Sequence, residues 1–345
     1  MATANNTTSN SQNMDGEERR EQMDTDEPLN ATFVATSPHH IDGVALCACV
    51  TMDTSSMAVA KADYSIDIFA LKLHVIGTEA DLTKGETFTL SGHRRTVYMG
   101  QFSPDGEHLL TCSEDFEMRL WSMQSPSRVS ICVQSMGFVR GIAFDASNTS
   151  LIATVVETGY ACFWKVDEPW VLCMQRIFQE PELTACIFRP LKNHIVSGSA
   201  SGRIRIWDNT SNKISVTCLL GSDTPITALA ISSCSYILVA GTQDGLIFVW
   251  NISQSEMLLR FTQHKEAISS IDFAPDNSLF AVGCKDTQMS VWNIEPFTSN
   301  LILPTRQLLL GSRSSECGKI LQVRFVSDSQ VTAICLEPSD VDTKA

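Results

Sequence analysis

The sequence lacks several features that mark particular classes of protein. Its 12 cysteines are dispersed and include no Cys-x-x-Cys pair, so nothing indicates a disulfide framework or a zinc clip. No apolar run approaches the roughly 18 residues that span a bilayer, and the N-terminus lacks the basic start and apolar stretch of a signal peptide. The sequence therefore predicts an intracellular protein without membrane contact, whose thiols are reduced and mostly buried.

Positive charge is also scarce. The 25 Lys and Arg residues stand against 39 Asp and Glu, which gives a formal net charge of −14. Binding to phosphate depends on clustered Lys and Arg, so we expect no direct contact with nucleic acid. Basic partners fit this charge more easily.

The chain divides into two tails and one body. Residues 1–30 are polar and carry seven acidic residues against two Arg, so this segment is predicted to be a disordered acidic tail. In residues 31–336, short apolar runs alternate with Gly, Ser, Asp and Asn clusters, and no stretch keeps the 3.6-residue period of a buried helix. Residues 337–345 form a short C-terminal tail. The body is predicted to be all-β.

An aromatic residue closes an apolar run at regular intervals in this body. The gaps between these anchors are 52, 43, 43, 43 and 42 residues, close to the roughly 40–45 residues of one four-stranded propeller blade. A second series with the same period ends the strand that opens each unit, at Phe102, Phe144, Phe188, Ile231 and Phe273. The blade anchors are Phe69, Trp121, Trp164, Trp207, Trp250 and Trp292.

The copies amount to six full units and one partial unit. The partial unit, residues 320–336, contains only two clear strands, and Ala31 to Thr36 is the apolar segment available to complete it from the other end of the chain. That pairing would close the ring and remove an exposed sheet edge. The sequence thus predicts a seven-bladed β-propeller. The long first gap predicts an inserted surface loop near Leu71 to Phe88.

The unit from Gly92 to Trp121, GHRRTVYMGQFSPDGEHLLTCSEDFEMRLW, resembles the WD40 family. The resemblance implies a hydrogen-bonded tetrad that runs from Trp121 through Thr111 to His93 and Asp115. A buried indole and imidazole both need partners, which agrees with this structural role. Thr111, His93 and Asp115 also carry the groups of a catalytic triad, but no nucleophile-elbow pattern accompanies them. We therefore expect no enzyme, and loss of folding when His93 is changed.

The other units depart from this pattern. Ser135, Ser222 and the pair Gln263-His264 stand where Gly-His is expected, and Thr158 and Ser201 stand at the position of the turn Asp. We therefore expect a single complete tetrad and a fold stabilised chiefly by apolar packing between blades.

Several stretches resemble the propeller of the fifth TBP-associated factor of TFIID and of its paralogue in SAGA. They are LSGHRRTVYMGQFSPDG (90–106), LLTCSEDFEMRLW (109–121), the order Arg176-Ile177-Phe178 then Phe188-Arg189-Pro190, and residues 307–336. That family normally carries a helical N-terminal region with a dimerisation motif, and here we expect only the acidic tail before the propeller. The resemblance implies a nuclear subunit that docks on histone-fold TBP-associated factors. A ubiquitin-ligase substrate receptor or a signalling scaffold is the alternative.

Few polar residues stand out as binding candidates. Arg94 and Arg95 follow Gly-His in a loop of the face that WD40 proteins often use for partners, although a solvated loop is the simpler interpretation. Trp170 lies outside the repeat series and is either packed on an outer strand or used by a partner. His39 and His40 are expected to be solvated. We expect no cofactor and no metal, and a monomeric propeller.

Overall fold

A computed structural model describes residues 32–336 except for 37–44, 52, 54, 77–78, 125–128, 136, 146–150, 168–170, 180, 191, 193, 209–215, 221–222, 295–307, 315–318, 326 and 329. The predicted tails, His39, His40 and Trp170 lie outside the described residues. The strands are β1 Thr32–Thr36, β2 Ala45–Val50, β3 Ser56–Lys61, β4 Ile66–Ile76, β5 Glu79–Leu90, β6 Val97–Phe102, β7 His108–Ser113, β8 Glu117–Ser122, β9 Val129–Gln134, β10 Val139–Phe144, β11 Leu151–Val156, β12 Tyr160–Asp167, β13 Val171–Gln179, β14 Leu183–Arg189, β15 His194–Ser199, β16 Arg203–Asp208, β17 Val216–Leu220, β18 Ile226–Ile231, β19 Ile237–Thr242, β20 Leu246–Asn251, β21 Glu256–Thr262, β22 Ile268–Phe273, β23 Leu279–Cys284, β24 Gln288–Asn293, β25 Leu309–Ser314, β26 Lys319–Phe325 and β27 Gln330–Leu336.

The described strands form seven sheets, which are the blades of a propeller. Six sheets have four strands, taken in chain order from β2–β5 to β22–β25, and the seventh has the order β1-β27-β26. The first strands of successive blades contact one another around a circle, β2, β6, β10, β14, β18, β22 and β26, and β26 contacts β2. The predicted all-β, seven-bladed WD40 propeller is confirmed.

The ring is closed by the two ends of the folded body. Strand β1 pairs with β27, with Thr32 opposite Gln330 and Thr36 opposite Ile334, and the pairing is parallel. The expected pairing of the segment Ala31 to Thr36 with the partial unit is therefore present. Closure is also supported by the backbone N–H of Val50 in blade 1, which donates to Oε1 of Gln322 in blade 7 at 3.2 Å.

The expected insertion in blade 1 is not a loop. Strands β4 and β5 have 11 and 12 residues, and they pair antiparallel as far as Ile76 opposite Glu79. The prediction of a loop near Leu71 to Phe88 was therefore wrong. The extra residues lengthen a hairpin, because antiparallel pairing satisfies their backbone N–H and C=O groups.

Each aromatic anchor lies on the third strand of its blade and is buried. Phe69 is 2% exposed, and the five tryptophans are 1–6% exposed. The middle strands are buried on both faces because neighbouring blades cover them, so β19 and β23 are continuous apolar runs, whereas the outer strand β21 is largely exposed. Trp121 packs with Ile66 and Ile68 of blade 1, and Trp292 packs with Val249 of blade 5. The anchors therefore join each blade to the one before it.

The described cysteines are free thiols. Cys49, Cys112, Cys162 and Cys284 are buried, Cys47 and Cys186 are half-buried, and Cys234 is exposed. Burial raises the pKa of Cys47, Cys186 and Cys284 to about 12, which keeps these thiols protonated at neutral pH. Within the described part of the chain, no helix has the length and apolar character needed to cross a membrane.

Candidate functional site

The structure brings the four residues of the expected tetrad together in blade 2. The indole N–H of Trp121 donates to Oγ1 of Thr111 at 2.8 Å. Nε2 of His93 lies 2.8 Å from the same oxygen, and Nδ1 of His93 lies 3.1 Å from Oδ2 of Asp115. Four side chains from the β5–β6 loop, β7, the β7–β8 turn and β8 thus form one continuous chain of hydrogen bonds.

A neutral imidazole satisfies each donor and acceptor in this chain. Because Oγ1 of Thr111 accepts from Trp121, its own hydrogen is free to be donated to Nε2 of His93, and Nδ1–H then donates to Asp115. Burial lowers the pKa of His93 below its usual 6.5, although Asp115 opposes this. If Nε2 of His93 also carried a proton, the Thr111 hydroxyl could no longer donate to it. The hydroxyl would then have to donate to the Arg119 carbonyl, 3.4 Å away.

Asp115 fixes the positions of two surface segments. Its Oδ2 accepts the backbone N–H of Arg94 at 2.9 Å, and its Oδ1 accepts that of Glu117 at 2.9 Å. Burial works against the charged form, but these N–H groups and His93 lower the pKa of Asp115. The carboxylate therefore holds the loop that carries Arg94 and Arg95 against the turn that carries Phe116.

Blade 6 brings together the side chains of a second tetrad, but among the described residues Nδ1 of its histidine, His264, has no hydrogen-bond partner, so its chain of hydrogen bonds is incomplete. Nε2 of His264 lies 2.9 Å from Oγ of Ser290, which accepts the indole N–H of Trp292 at 2.9 Å. Nδ1 of His264 faces Oδ2 of Asp286 at 3.4 Å, and Asp286 accepts the backbone N–H of Lys265. The sequence analysis discounted blade 6 because the pair Gln263-His264 stands where Gly-His is expected. In addition, the position equivalent to Thr111 is Val282, and the hydroxyl comes from Ser290, the cross-strand partner of Val282.

The remaining tryptophans show which part of the tetrad other blades keep. Trp164 donates its indole N–H to Thr154 at 2.9 Å, and Trp207 donates to Ser197 at 2.8 Å. In blade 5 the corresponding residue is Ala240, and Nε1 of Trp250 has no hydrogen-bond partner among the described residues. The hydroxyl acceptor therefore persists in blades where the histidine is replaced.

The triad-like geometry in blade 2 does not present a nucleophile to a substrate. Thr111 is 2% exposed, and its hydroxyl oxygen already accepts from Trp121. His93 is 7% exposed. A reacting carbonyl has no space beside Oγ1 of Thr111, so the arrangement supports the strands and does not offer a catalytic site.

Among the described residues, two sets of side chains have metal-ligand chemistry, His93 with Asp115 and Glu117, and His264 with Cys284 and Asp286. Both sets contain the histidine and aspartate of a tetrad. Cys284 donates to the backbone carbonyl of Glu266 at 3.1 Å, as Ser113 donates to that of Arg95 in blade 2 at 3.0 Å. Cys284 thus takes the place of a structural serine, and hydrogen bonding accounts for both sets.

A central cavity of about 570 Å³ lies where the first strands end. Its lining includes Phe102, Phe144 and Phe188, the second aromatic series found in the sequence. Asp272 also faces it and is paired with Arg324 of the next blade at 3.2 Å, while its other oxygen accepts the Phe325 N–H at 2.8 Å. Burial raises the pKa of Asp272, although Arg324 opposes this.

The face opposite this end of the cavity carries Arg94 and Arg95, and we call it the upper face. It consists of the loops between blades and the turns between the second and third strands, such as β3–β4 and β7–β8. Arg94 and Arg95 are exposed, and within the described part of the chain neither guanidinium has an ion-pair or hydrogen-bond partner. The structure thus places both arginines where a partner could reach them.

Phe116, which the sequence analysis did not single out, follows Asp115 on the turn that is hydrogen-bonded to the arginine loop. It is 40% exposed and has a φ of +61°, a left-handed conformation that costs an L-residue about 1–2 kcal/mol. Its ring lies 5.1 Å from that of Phe138, which lies 5.9 Å from that of Tyr98. Tyr64 occupies the same turn position in blade 1, with a φ of +70° and 41% exposure.

Comparison with known proteins decides the family. A family model for the CFAP43 N-terminal domain matches residues 94–304, which is more than half of the chain. The chain belongs to the CFAP43 N-terminal domain family. The matched span of this CFAP43-type domain starts in the upper-face loop at Arg94, contains blades 2 to 5, and ends beyond the third strand of blade 6, β24.

Curated relatives of this CFAP43-type chain are WD40 proteins. TFIID subunit 5 of Caenorhabditis elegans is 26% identical over 286 residues, 75% of this chain and 43% of the relative. The target of rapamycin complex subunit wat1 of Schizosaccharomyces pombe is 21% identical over 262 residues, 74% of this chain and 66% of the relative. A guanine nucleotide-binding protein subunit beta of Nicotiana tabacum is 27% identical over 219 residues, 59% of this chain and 58% of the relative. The chain spans less than two thirds of the length of each of these relatives.

Proposed function

We propose that this propeller is the WD40 subunit of a transcription complex of the TFIID or SAGA type and supports initiation by RNA polymerase II. The observation that carries the proposal is the match to a TFIID subunit over 75% of the chain, 26% identical. In this role the propeller is a nuclear, monomeric platform without a catalytic step, and it binds histone-fold TBP-associated factors. The net charge of −14 leaves contact with DNA to other subunits.

The first test is affinity purification of the full chain from nuclear extract, followed by quantitative mass spectrometry. We expect histone-fold TBP-associated factors in near-stoichiometric amounts, and the tagged chain should return when one of those factors is purified instead. A matched control carries a surface substitution on an outer strand, Glu256→Gln. Absence of histone-fold factors in both directions would refute the proposal.

A second candidate is an adaptor outside transcription, such as a signalling scaffold or a ubiquitin-ligase substrate receptor. The matches to a target of rapamycin complex subunit and to a G-protein β subunit, at 21% and 27% identity, favour it. The same purification separates the two candidates, because cullin-ligase or signalling components would then replace the histone-fold factors.

A further inference from the structure

The turn between the second and third strands has the same backbone conformation in several blades but different residues. Glycine with positive φ occupies the critical position in blades 3, 4 and 5, as Gly159, Gly202 and Gly245. Thr287 occupies it in blade 6. Only glycine adopts this conformation without steric cost, so the turn itself gives no reason for a large side chain.

Blades 1 and 2 nevertheless place aromatic residues at this position. Tyr64 and Phe116 are about two-fifths exposed, and both are among the few large apolar side chains that the described surface exposes. An unfavourable backbone conformation combined with an exposed apolar ring is typical of residues kept for binding. Neighbouring blades of one face thus carry matching aromatic tips.

Phe116 belongs to a larger apolar surface at the boundary of blades 2 and 3. Its ring packs on Phe138, which packs on Tyr98, and we call these three residues the aromatic ledge. The ledge is held in place because the carbonyl of Phe116 accepts the Ser135 N–H at 2.7 Å, and the Tyr98 hydroxyl accepts the Val139 N–H at 2.9 Å. The ledge is therefore preorganised for a partner.

The charges around the ledge indicate the chemistry of that partner. Arg119 pairs with Glu117 at 2.7 Å, and Arg140 pairs with Glu157 at 3.0 Å. Arg94 and Arg95 have no such carboxylate among the described residues, and Asp115 holds their loop directly against the Phe116 turn. The loop with the two unpaired arginines is therefore bonded to the turn that carries the exposed ring, and one exposed carboxylate, Glu114, lies on that turn.

We propose that the aromatic ledge, with Arg94 and Arg95, is a docking surface for an acidic protein segment that carries a large apolar side chain. The apolar side chain packs on Phe116 and Phe138, and its acidic neighbours pair with the two guanidiniums. This inference rests on the proposed scaffold function and names the surface and the partner chemistry. Tyr64 extends the surface toward blade 1.

The test selects random peptides displayed on phage against the purified full chain, with counter-selection against Phe116→Gly. Glycine suits the left-handed turn, so this variant removes the ring and keeps the fold, which thermal unfolding verifies. We expect the peptides lost with Phe116→Gly to be enriched in Asp and Glu around one Phe, Trp or Leu. Their affinity should fall at least about tenfold in Phe116→Gly and in the double variant Arg94→Ala, Arg95→Ala.

Two further variants test whether the bound segment is acidic. Glu114→Gln should strengthen binding of the selected peptides about twofold or more, since it removes a repulsive carboxylate. The matched control is Lys265→Ala with Thr287→Gly in blade 6, where Asp286 holds the corresponding loop, and it should leave affinity unchanged. Selected peptides rich in Lys and Arg, peptides weakened by Glu114→Gln, or no peptide that depends on Phe116 would overturn the proposal.

This test uses the isolated chain, so it is independent of membership in a transcription complex. If purification recovers no histone-fold factors while Phe116-dependent acidic peptides are found, the proposed function fails and the docking surface stands. If the factors are recovered but no such peptide exists, only the docking surface is refuted.

Discussion

The hydroxyl of Ser290 accepts the indole N–H of Trp292, two residues along the same strand, at 2.9 Å. In blade 2 the corresponding hydroxyl belongs to Thr111 on the neighbouring strand. Thr111 pairs across the ladder with Arg119, and Val282 pairs with Ser290, so the hydroxyl has changed strands while its location in the blade is retained.

This exchange predicts that the hydroxyl can be moved back. Ser290→Ala leaves the His264 and Trp292 nitrogens without a partner and should lower the free energy of unfolding by about 1–3 kcal/mol. Adding Val282→Thr to that variant should recover part of the loss, although Val282→Thr alone should destabilise. Urea unfolding of all four proteins measures the coupling. Strictly additive effects would show that the two positions do not share one hydroxyl site.

Blade 5 offers a stabilising substitution. Nε1 of Trp250 has no partner among the described residues, and Ala240 occupies the position of Thr111, Thr154 and Ser197. Ala240→Ser should supply an acceptor and raise the free energy of unfolding by about 0.5–1.5 kcal/mol. Chemical denaturation checks this, and Ala281→Ser, at a buried position in a core cluster that contains no tryptophan, is the control. A loss of stability in Ala240→Ser equal to that of the control would contradict the prediction.

Packing between blades should outweigh these hydrogen bonds. Trp207 is 3% exposed and packs with Phe163 of the preceding blade, so Trp207→Ala creates a cavity in that interface and should cost about 3–5 kcal/mol. A thermal melt compares it with Glu256→Gln on the exposed outer strand β21. Equal shifts in melting temperature would mean that the buried aromatic anchors contribute no more to stability than a surface residue does.

The two tetrads make stability depend on pH. Burial lowers the pKa of His93 and His264 from 6.5, so below that pH the unfolded chain binds more protons than the folded one, and the free energy of unfolding falls as pH decreases. The pKa values of Asp115 and Asp286 are lowered from 3.8, so their contribution is lost only on further acidification.

Urea unfolding from about pH 7.5 to about pH 5 should show this loss. The double variant His93→Gln, His264→Gln should be less stable at neutral pH but lose less on acidification. His108, whose pKa is also lowered by burial, remains in both proteins and accounts for a residual slope. Identical slopes in the two proteins would exclude the tetrad histidines as the cause.

The conformation of Phe116 reverses the usual ranking of small substitutions. Alanine at this position loses the ring contact with Phe138 and keeps the left-handed strain, whereas glycine loses the same contact and relieves that strain. Phe116→Gly should therefore be more stable than Phe116→Ala by about 1 kcal/mol and within about 1 kcal/mol of the wild type. Denaturant midpoints measure both, and a more stable alanine variant would argue against a strained turn.

Periodicity made the architecture predictable, because a buried aromatic returns wherever a third strand packs on the preceding blade. The sequence alone was enough to place Trp121 and Trp292 on strands. The direction of β1 was not predictable, since an isolated run of five residues carries no signal of parallel or antiparallel pairing. The blade 1 insertion was misread because a surface loop and an extended hairpin have the same spacing.

Less of the candidate site could be predicted from the sequence. Blade 6 was discounted on the pair Gln263-His264, and its hydroxyl comes from Ser290 across the strand pair from Val282, which residue spacing alone does not indicate. The conformation of Phe116 could have been noticed by aligning the turns, where Gly159, Gly202 and Gly245 stand at its position. Its contact with Phe138 could not, because that contact crosses a boundary between blades.

The pairing of β1 with β27 has a consequence for how the protein is made. Among the described strands, β1 is synthesised first and its partner β27 last. Until β27 is made, the blades form an open row with an unpaired edge at each end. Joining partners this distant in sequence is an entropically slow step. The row can therefore become a circle, and its unpaired ends disappear, only after β27 has left the ribosome.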